Sequence, residues 1–535
     1  MKLNEKGYAL LHVIMIFTIL MIFGISLLGV TLQSQKFTAY SEKYVQDLAL
    51  AERRMDEAII KLEDKVNGFN VPSNQLSALL PALESAITSL NSEHTTFEPV
   101  NIRNITPADN RFAEMVKIKV KIGDSGKQLV NTHTITTAAD VFRFSAVTEG
   151  KLILNGASHI KGDVYANNGL YLSKYSKFIT GSQIHTPETV YPKIDGTITV
   201  KSATASGLKI FEGKEPNWRP LNSISSIYEI LNTTPKMKDR SVQFNQFNIS
   251  QLVKDKGQVY NDKKKDIRIY TDQYYLISSQ TINSSIKFRN YLYLDRKLEV
   301  KGDLYLEDGI RMTPQGSLKV SGNIYIGSNK NFSNYLSGSI SLENNSSFIY
   351  VDGNSVVYDL TNNGQIYNSG DIEIKRDLNM NGTVFVDGQT RIEDLSNQSG
   401  GTAVILSKGN LTVANNNLYS DQPREIDAFL YTDQDLEIYG VGSNIKINGG
   451  IYGKNIKLNA TKGKTYLIGG NNPPFNSSDF NSIGGLYLNK NQSDPNSPSR
   501  LQIEFKPELI QNPPIGIPTV DKLQLTEIDQ KTESK

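Results

Sequence analysis

The chain has 535 residues, too many for one compact core, so its length predicts two or more folded units. Lysine and arginine number 57 against 55 aspartates and glutamates, and this balance argues against a nucleic-acid partner. Cysteine is absent and histidine occurs five times, which excludes disulfides, zinc–thiolate sites and thiol catalysis. We therefore predict no cofactor, no metal site and no catalytic residue.

The first 35 residues predict a membrane-spanning helix. Lys2 and Lys6 precede an uncharged run whose apolar part is Tyr8–Leu32. A helix of that length extends about 37 Å, enough to cross a hydrocarbon core of about 30 Å. A secretory signal would have a shorter apolar region and a small-residue cleavage site, and this segment has neither. The expected partner is the lipid bilayer, with a cytoplasmic N-terminus and the bulk of the chain facing outward or towards the cell wall.

The segment Lys6-Gly7-Tyr8-Ala9-Leu10-Leu11 resembles the class III leader of type IV pilins, a short charged leader that ends at Lys-Gly. This resemblance implies cleavage between Gly7 and Tyr8 by a prepilin peptidase, N-methylation of Tyr8 and assembly with other pilins. Most pilins carry glutamate at the fifth mature position, where this sequence has His12. The alternative is an uncleaved single-pass anchor.

The first 60 residues or so are most similar to PilX-type minor pilins, in which that glutamate is not fixed. The match lies in the apolar run with Thr18, Gly24 and Gly29, and in Leu48-Ala49-Leu50-Ala51-Glu52 followed by Met55 and Ala58.

Beyond the membrane the pattern predicts a helical stem and a small α+β region. One apolar stripe continues at helical spacing through Tyr40, Tyr44, Leu48, Ala51, Met55, Ile59, Leu62 and Val66. A second helix is expected over 74–92, followed by a hairpin of alternating residues from Met115 to Phe144. His94 and His133 lie in this region and are interpreted as ordinary surface or loop residues.

A short phrase, apolar-x-Gly-polar-apolar-x-apolar, recurs from about residue 152. Two copies, Val300-Lys301-Gly302-Asp303-Leu304-Tyr305-Leu306 and Val320-Ser321-Gly322-Asn323-Ile324-Tyr325-Ile326, lie 20 residues apart, about one turn of a β-solenoid. The pattern favours a parallel β-helix, with an antiparallel β-sandwich as the alternative. We expect Val300, Leu304, Val320 and Ile324 to face its core and Tyr325 to point outward. These phrases resemble those of bactofilin-like and other Gly-Asp-rich β-helices.

Composition shifts divide the chain into seven segments. They are a leader (1–7), a transmembrane and stem helix (8–66), a small α+β pilin-like region (67–145), the start of the β-helix (146–204), an inserted subdomain (205–290), the main β-helix (291–490) and a polar, partly disordered tail (491–535). The insertion contains Trp218 and the tyrosines Tyr270, Tyr274 and Tyr275, for which core or edge packing is favoured over a sugar-binding platform.

These patterns favour a membrane-anchored structural or adhesive surface protein over an enzyme. The alternative is a β-helix enzyme that acts on polysaccharide, which would need carboxylates brought together on one face. Asp163, Asp303 and Asp371 instead occupy equivalent turn positions, and His159 and His185 are isolated on strands. Cell-wall or surface polysaccharide remains an expected partner.

Overall fold

The computed structural model describes residues 5–69, 76–100, 112–200, 209–221, 223–231, 242, 244, 247–265, 267, 270–272, 275–327, 333–344, 346–396, 401–468, 479–494 and 496–534. Its helices are α1 (Glu5–Asn67), α2 (Leu76–Thr88), α3 (Ile224–Leu231), α4 (Ile249–Lys263) and α5 (Glu508–Gln511), with a short 3-10 helix at Asp140–Arg143.

The strands fall into a small head sheet, a long parallel solenoid and two minor antiparallel groups. In chain order they are β1 (Thr95–Val100), β2 (Ala113–Ile122), β3 (Lys127–Ala138), β4 (Ala146–Thr148), β5 (Leu152–Gly156), β6 (His159–Lys161), β7 (Val164–Ala166), β8 (Leu170–Ser173), β9 (Phe178–Thr180), β10 (Gln183–His185), β11 (Lys193–Asp195), β12 (Ile198–Val200), β13 (Ile210–Lys214), β14 (Asn217–Pro220), β15 (Tyr270–Thr271), β16 (Tyr275–Leu276), β17 (Gln280–Ile282), β18 (Ile286–Phe288), β19 (Leu292–Leu294), β20 (Lys297–Val300), β21 (Leu304–Leu306), β22 (Ile310–Met312), β23 (Ser317–Val320), β24 (Ile324–Ile326), β25 (Asn334–Leu342), β26 (Phe348–Val351), β27 (Ser355–Asn362), β28 (Gln365–Asn368), β29 (Ile372–Ile374), β30 (Leu378–Met380), β31 (Gly382–Val386), β32 (Thr390–Glu393), β33 (Ala403–Ser407), β34 (Leu411–Ala414), β35 (Arg424–Gly440), β36 (Ile445–Ala460), β37 (Thr465–Leu467), β38 (Phe480–Ile483), β39 (Leu486–Asn489), β40 (Leu501–Phe505) and β41 (Thr519–Ser534).

Helix α1 is continuous over 63 residues, about 95 Å at the usual helical rise. Its first half is bare: the large apolar side chains between Leu10 and Leu32 are exposed, and this is the helix in the described chain that is long and apolar enough to cross a membrane. Its second half buries Ala51, Met55 and Leu62 against a sheet. The predicted apolar stripe is therefore buried in its later part, whereas Tyr40, at its start, is 73% exposed.

The sheet that receives α1 has the order β1-β2-β3-β41, and all of its pairings are antiparallel. We call this sheet, with α2 and the outer half of α1, the head. Its last two strands are neighbours in space but far apart in sequence, since Ala138 pairs with Thr519. Residues 139–518 are thus an insertion between two adjacent strands of one sheet.

Most of that insertion forms a parallel β-solenoid of about 13 turns, which confirms the predicted β-helix and rules out the sandwich. At about 4.8 Å per turn the stack is roughly 60 Å long. Val300 pairs with Val320, and Leu304 pairs with Ile324. All four side chains are fully buried in one apolar core that fills the lumen.

The turns are not stacked in chain order. We call residues 146–214 the N-terminal block and residues 270–460 the main block. The N-terminal block begins beside β36, the last strand of the main block, since Ile451 pairs with Ala146 and Ile456 pairs with Leu152. The turn that joins the blocks is composite, because β40 also pairs with β36 and with β6. The chain therefore enters and leaves the solenoid at the same turn, close to the head.

Gly162 marks the crowded junction where the chain enters and leaves. Its backbone is left-handed (φ 123°), and a Cβ there would lie 2.2 Å from Ser145 and 2.8 Å from Phe505. A larger residue would push apart the two connections to the head.

Because the blocks are stacked out of order, the chain must return along the solenoid between residues 214 and 270. The second half of this return segment, mostly α4, packs on a column of aromatic side chains that point away from the lumen. We call it the covered column, and its members include Tyr305, Tyr325, Phe348, Tyr350, Tyr431 and Tyr452. The contacts progress along the stack: Phe247 packs on Tyr431, Lys256 lies 4.5 Å from the Phe348 ring, and Tyr260 stacks on Tyr325. The segment predicted as an inserted subdomain is thus divided, since β13 completes the N-terminal block and β15–β18 begin the main block.

Tyr325 points away from the lumen but does not reach solvent. It lies under α4, is 0% exposed and stacks on Tyr305 at 4.8 Å. Tyr325 therefore points outward as expected, but α4 covers it, because strand alternation shows which face a residue occupies and not whether another element covers that face.

The tail also differs from the sequence prediction of partial disorder over 491–535. Strand β40 completes a solenoid turn and β41 completes the head sheet. Within the polar tail, Leu523 and Leu525 alternate and join the apolar core beneath α1. The hydrogen bonds of β41 come from β3, a partner that local composition does not reveal.

Two buried polar residues, His133 and Glu114, lie on neighbouring strands of the head. His133 is 2% exposed, so its interpretation as a surface residue is wrong. Burial lowers the pKa of His133 to about 4. Burial, together with the nearby Glu84 carboxylate, raises the pKa of Glu114 to about 7.

We predict that Tyr325→Ala destabilises the solenoid by about 3 kcal/mol or more, because it leaves a cavity between α4 and the sheet. Ser341→Ala, at an exposed position of β25, is the matched control and should change stability by less than about 0.5 kcal/mol. Thermal melts of both variants test this. Equal, small shifts would show that α4 does not cover Tyr325 in solution.

The head should show two opposing pH dependences. In the unfolded state His133 takes up a proton near its ordinary pKa of 6.5, whereas in the folded state it does so only near pH 4. The contribution of His133 to the free energy of unfolding therefore falls as the pH falls from 6.5 to about 4. The full effect is roughly 3 kcal/mol. Glu114, whose folded pKa is raised from 4.5 to about 7, lowers stability as pH rises from 4.5 to 7.

In the wild-type protein the two opposite dependences of stability on pH nearly cancel. Glu114→Gln should therefore reveal a loss of amide protection from hydrogen exchange at low pH. His133→Gln should reveal such a loss at neutral pH. Hydrogen exchange of β2 and β3 amides, corrected for intrinsic rates, measures both. Variants with identical pH profiles would contradict the assignment.

Candidate ligand-binding site

A second column of aromatic and arginine side chains lies on another outer face of the main block, where no helix of the described chain covers it. We call it the open column; its members are Tyr275, Tyr293, Arg311, Tyr335, Tyr358 and Arg376. Tyr275 pairs in register with Tyr293, and Tyr293 with Arg311, so these side chains occupy successive turns. In a solenoid of parallel strands the same outward-facing position recurs once in every turn, and here planar side chains occupy it.

The planar groups stack on one another. The rings of Tyr275 and Tyr293 are 4.8 Å apart and nearly parallel. The Arg311 guanidinium lies 4.2 Å from the Tyr335 ring centre, and the rings of Tyr335 and Tyr358 are 6.2 Å apart. Arg376 continues the column, 5.6 Å from the Tyr358 ring. The result is a continuous strip along the solenoid axis, in which the rings face one another and turn their edges outward.

The central part of the strip forms an open cleft with a volume of about 720 Å³. Met312 and Pro314 contribute an apolar wall, and Arg311 is exposed. Within the described chain, no protein group is within hydrogen-bonding distance of the hydroxyls of Tyr293, Tyr335 or Tyr358. Those hydroxyls are therefore available to a ligand.

The covered column differs in this respect, because its tyrosines bond within the protein. The Tyr305 hydroxyl donates to Asp303, and the Tyr452 hydroxyl donates to Glu149 at 2.8 Å. Burial raises the pKa of Tyr325 and of Tyr350 to about 12. The covered column is a packing surface, whereas in the open column the half-buried rings of Tyr293, Tyr335 and Tyr358 turn their edges outward, and their hydroxyls have no partner in the described chain.

The three turn aspartates do not meet in a catalytic pair. Each accepts a hydrogen bond from a backbone N–H one turn further along: Asp303 from Asn323 at 2.8 Å, Asp371 from Gln389 at 2.7 Å and Asp163 from Thr197 at 2.8 Å. These carboxylates tie consecutive corners together. Among the described residues, no group of three or more His, Asp or Glu side chains is placed to hold a metal ion.

The strand histidines are also engaged with protein groups. His159 lies 2.7 Å from the Asp195 carboxylate, and its pKa is lowered, mainly by burial. His185 stacks on Phe178 in the β9–β10 hairpin. Neither lies in the open column.

The other predicted site residues lie in different parts of the chain. Gly7 and Tyr8 lie in the first turns of α1, while Val300, Leu304, Val320 and Ile324 line the lumen. Tyr275 belongs to the open column, and Tyr274 lies outside the described residues. The sequence analysis missed Tyr293, Arg311, Tyr335 and Tyr358, although Tyr275, Tyr293 and Arg311 recur at equal spacing between apolar neighbours. That spacing could have revealed the column.

No protein-family model and no curated protein matches this sequence. Among solved structures, the competence-associated pilin ComZ from Thermus thermophilus matches over 82% of this chain and 83% of its own, with 9% identity and a TM-score of 0.19. A superposition of that quality supports no inference about fold or function.

We predict that Asp303→Asn leaves the solenoid within about 1 kcal/mol of wild type, because the amide oxygen can still accept the Asn323 N–H and the lost ion pair with Lys263 is partly exposed. Asp303→Leu removes the acceptor and should cost about 1–3 kcal/mol. Thermal melts distinguish the two variants. A polysaccharide-cleaving activity that disappears in Asp303→Asn would instead support the enzyme alternative.

Proposed function

We propose that this chain is a membrane-anchored, outward-facing surface protein of the minor-pilin type, and that its solenoid is a non-catalytic structural or adhesive module. The observation that carries the proposal is the insertion of the solenoid between β3 and β41, in a sheet packed on the outer half of α1. One continuous helix thus links the apolar segment to the head, and the head holds the solenoid by two connections.

The inner half of α1 suits a lipid environment. The large apolar side chains of Leu10–Leu32 are exposed, so burial in the protein does not account for them. The hydroxyls of Thr18 and Thr31 donate to the carbonyls of Ile14 and Leu27, each at 2.8 Å, which satisfies these polar groups without water.

The outer half of α1 supports the proposed assembly with other pilins. Several of its large apolar side chains remain exposed, namely Phe37, Tyr40, Val45, Leu50 and Ile60. Neighbouring helices of the same kind would cover them. A prepilin peptidase is the proposed processing partner.

We predict that the mature protein begins at Tyr8 with a methylated amine and that its solenoid lies outside the cytoplasm. Mass spectrometry of the protein from membranes should find the terminus at Tyr8. Protease added to intact protoplasts should remove the solenoid, because α1 leaves it on the outer side.

Gly7→Val is the processing control, since a branched side chain at the cleavage position should leave Met1 in place while the protein stays in the membrane. An intact Met1 in the wild type would support the uncleaved anchor. Complete protection of the solenoid from external protease would overturn the outward orientation.

A further inference from the structure

We infer that the open column binds an extended, carboxylate-bearing polysaccharide, with sugar rings lying along the outer edges of its tyrosines and sugar carboxylates on Arg311. This inference rests on the proposed function in one respect: the solenoid must face outward to meet such a polymer. The contacts of the strip, its charge and its repeat distance support it independently.

The strip has the surface chemistry that sugars require. The rings of Tyr293, Tyr335 and Tyr358 stack with neighbouring side chains, so their outer edges, together with Met312 and Pro314, form the apolar surface for the C–H faces of sugar rings. Their hydroxyls have no protein partner in the described part of the chain and can bond to sugar hydroxyls. A surface of this kind combines apolar contact with polar groups at its edges.

The repeat distance also fits a linear polymer. The column places one planar group on each of several successive turns, about 4.8 Å apart. This spacing is comparable to the length of one sugar unit in an extended chain. The cleft of about 720 Å³ lies within the range of roughly 300–1,000 Å³ typical of ligand sites.

Charge distinguishes an acidic sugar polymer from a neutral one. Arg311 has no carboxylate within ion-pair distance among the described residues, so its charge is available to a ligand. Its guanidinium lies 4.2 Å from the centre of the Tyr335 ring, and its N–H groups can make a two-pronged contact with a carboxylate. Arg376 is partly neutralised by Asp359, which lies 2.7 Å away.

The same charge count disfavours nucleic acid, whose affinity depends on neutralising many phosphates. Two arginines lie in the strip, and Asp359 offsets one of them. The strip is also not arranged for cleavage, since Asp359 is the carboxylate lining the cleft and it is paired with Arg376.

The test is calorimetric titration of the full-length protein in detergent with oligogalacturonate as the probe. Its methyl ester, which has the same rings without the charge, is the matched ligand, and a single-stranded oligonucleotide is the competing polyanion. We expect oligogalacturonate to bind at least tenfold more tightly than either.

Arg311→Gln and Tyr358→Ala should each weaken binding about tenfold, in line with the loss of one charged hydrogen bond or of one aromatic contact and its hydroxyl. Arg219→Gln is the matched control, because it also removes one exposed arginine but lies near the end of the N-terminal block. It should leave the affinity unchanged. Thermal melts confirm that each variant is folded.

Equal affinity for the acid and its ester, tighter binding of the oligonucleotide, or no effect of the two strip variants would overturn the inference. Absence of measurable binding would overturn it as well. None of these outcomes affects the protease test of orientation, so failure of the ligand inference and failure of the proposed function are separable.

Discussion

The pairing of Ala138 with Thr519 is the constraint on which the rest of the architecture depends. Neighbouring strands lie about 5 Å apart, so whatever is inserted between them must begin and end at nearly the same place. A solenoid stacked in chain order would begin and end roughly 60 Å apart. The protein satisfies the constraint by starting its solenoid part-way along the stack and closing it with a composite turn.

That solution creates a second requirement, which α4 and its flanking residues meet. The return segment must run along the outside of the stack, and an outward aromatic column receives it. Tyr305, Tyr325 and Tyr350 are thus buried although they point away from the lumen. The solenoid has an inner apolar core and an outer one, and the open column is an aromatic face that the described part of the return segment leaves uncovered.

Much of the fold could be predicted from the sequence, and the limits have physical reasons. Period-two alternation and the 20-residue repeat identified the lumen residues Val300 and Ile324, because each copy carries its own signal. The out-of-order stacking could not be predicted, since β4 and β36 carry the same kind of repeat and any two turns could pair. The position of β41 was missed for a different reason, since its polar composition does not reveal that it pairs with β3. The open column was predicted only in part, because Tyr275 was singled out from the sequence but its partners on later turns were not.

The distance in sequence between β3 and β41 also sets an order of events. During synthesis β3 is made long before β41, so its outer edge stays unpaired while the whole solenoid is being produced. An unpaired strand edge invites pairing with other chains. Closing so long a loop is also slow compared with local pairing. The head sheet is thus completed only in chains that have produced the whole insertion, which couples correct assembly of the stem to completion of the module it carries.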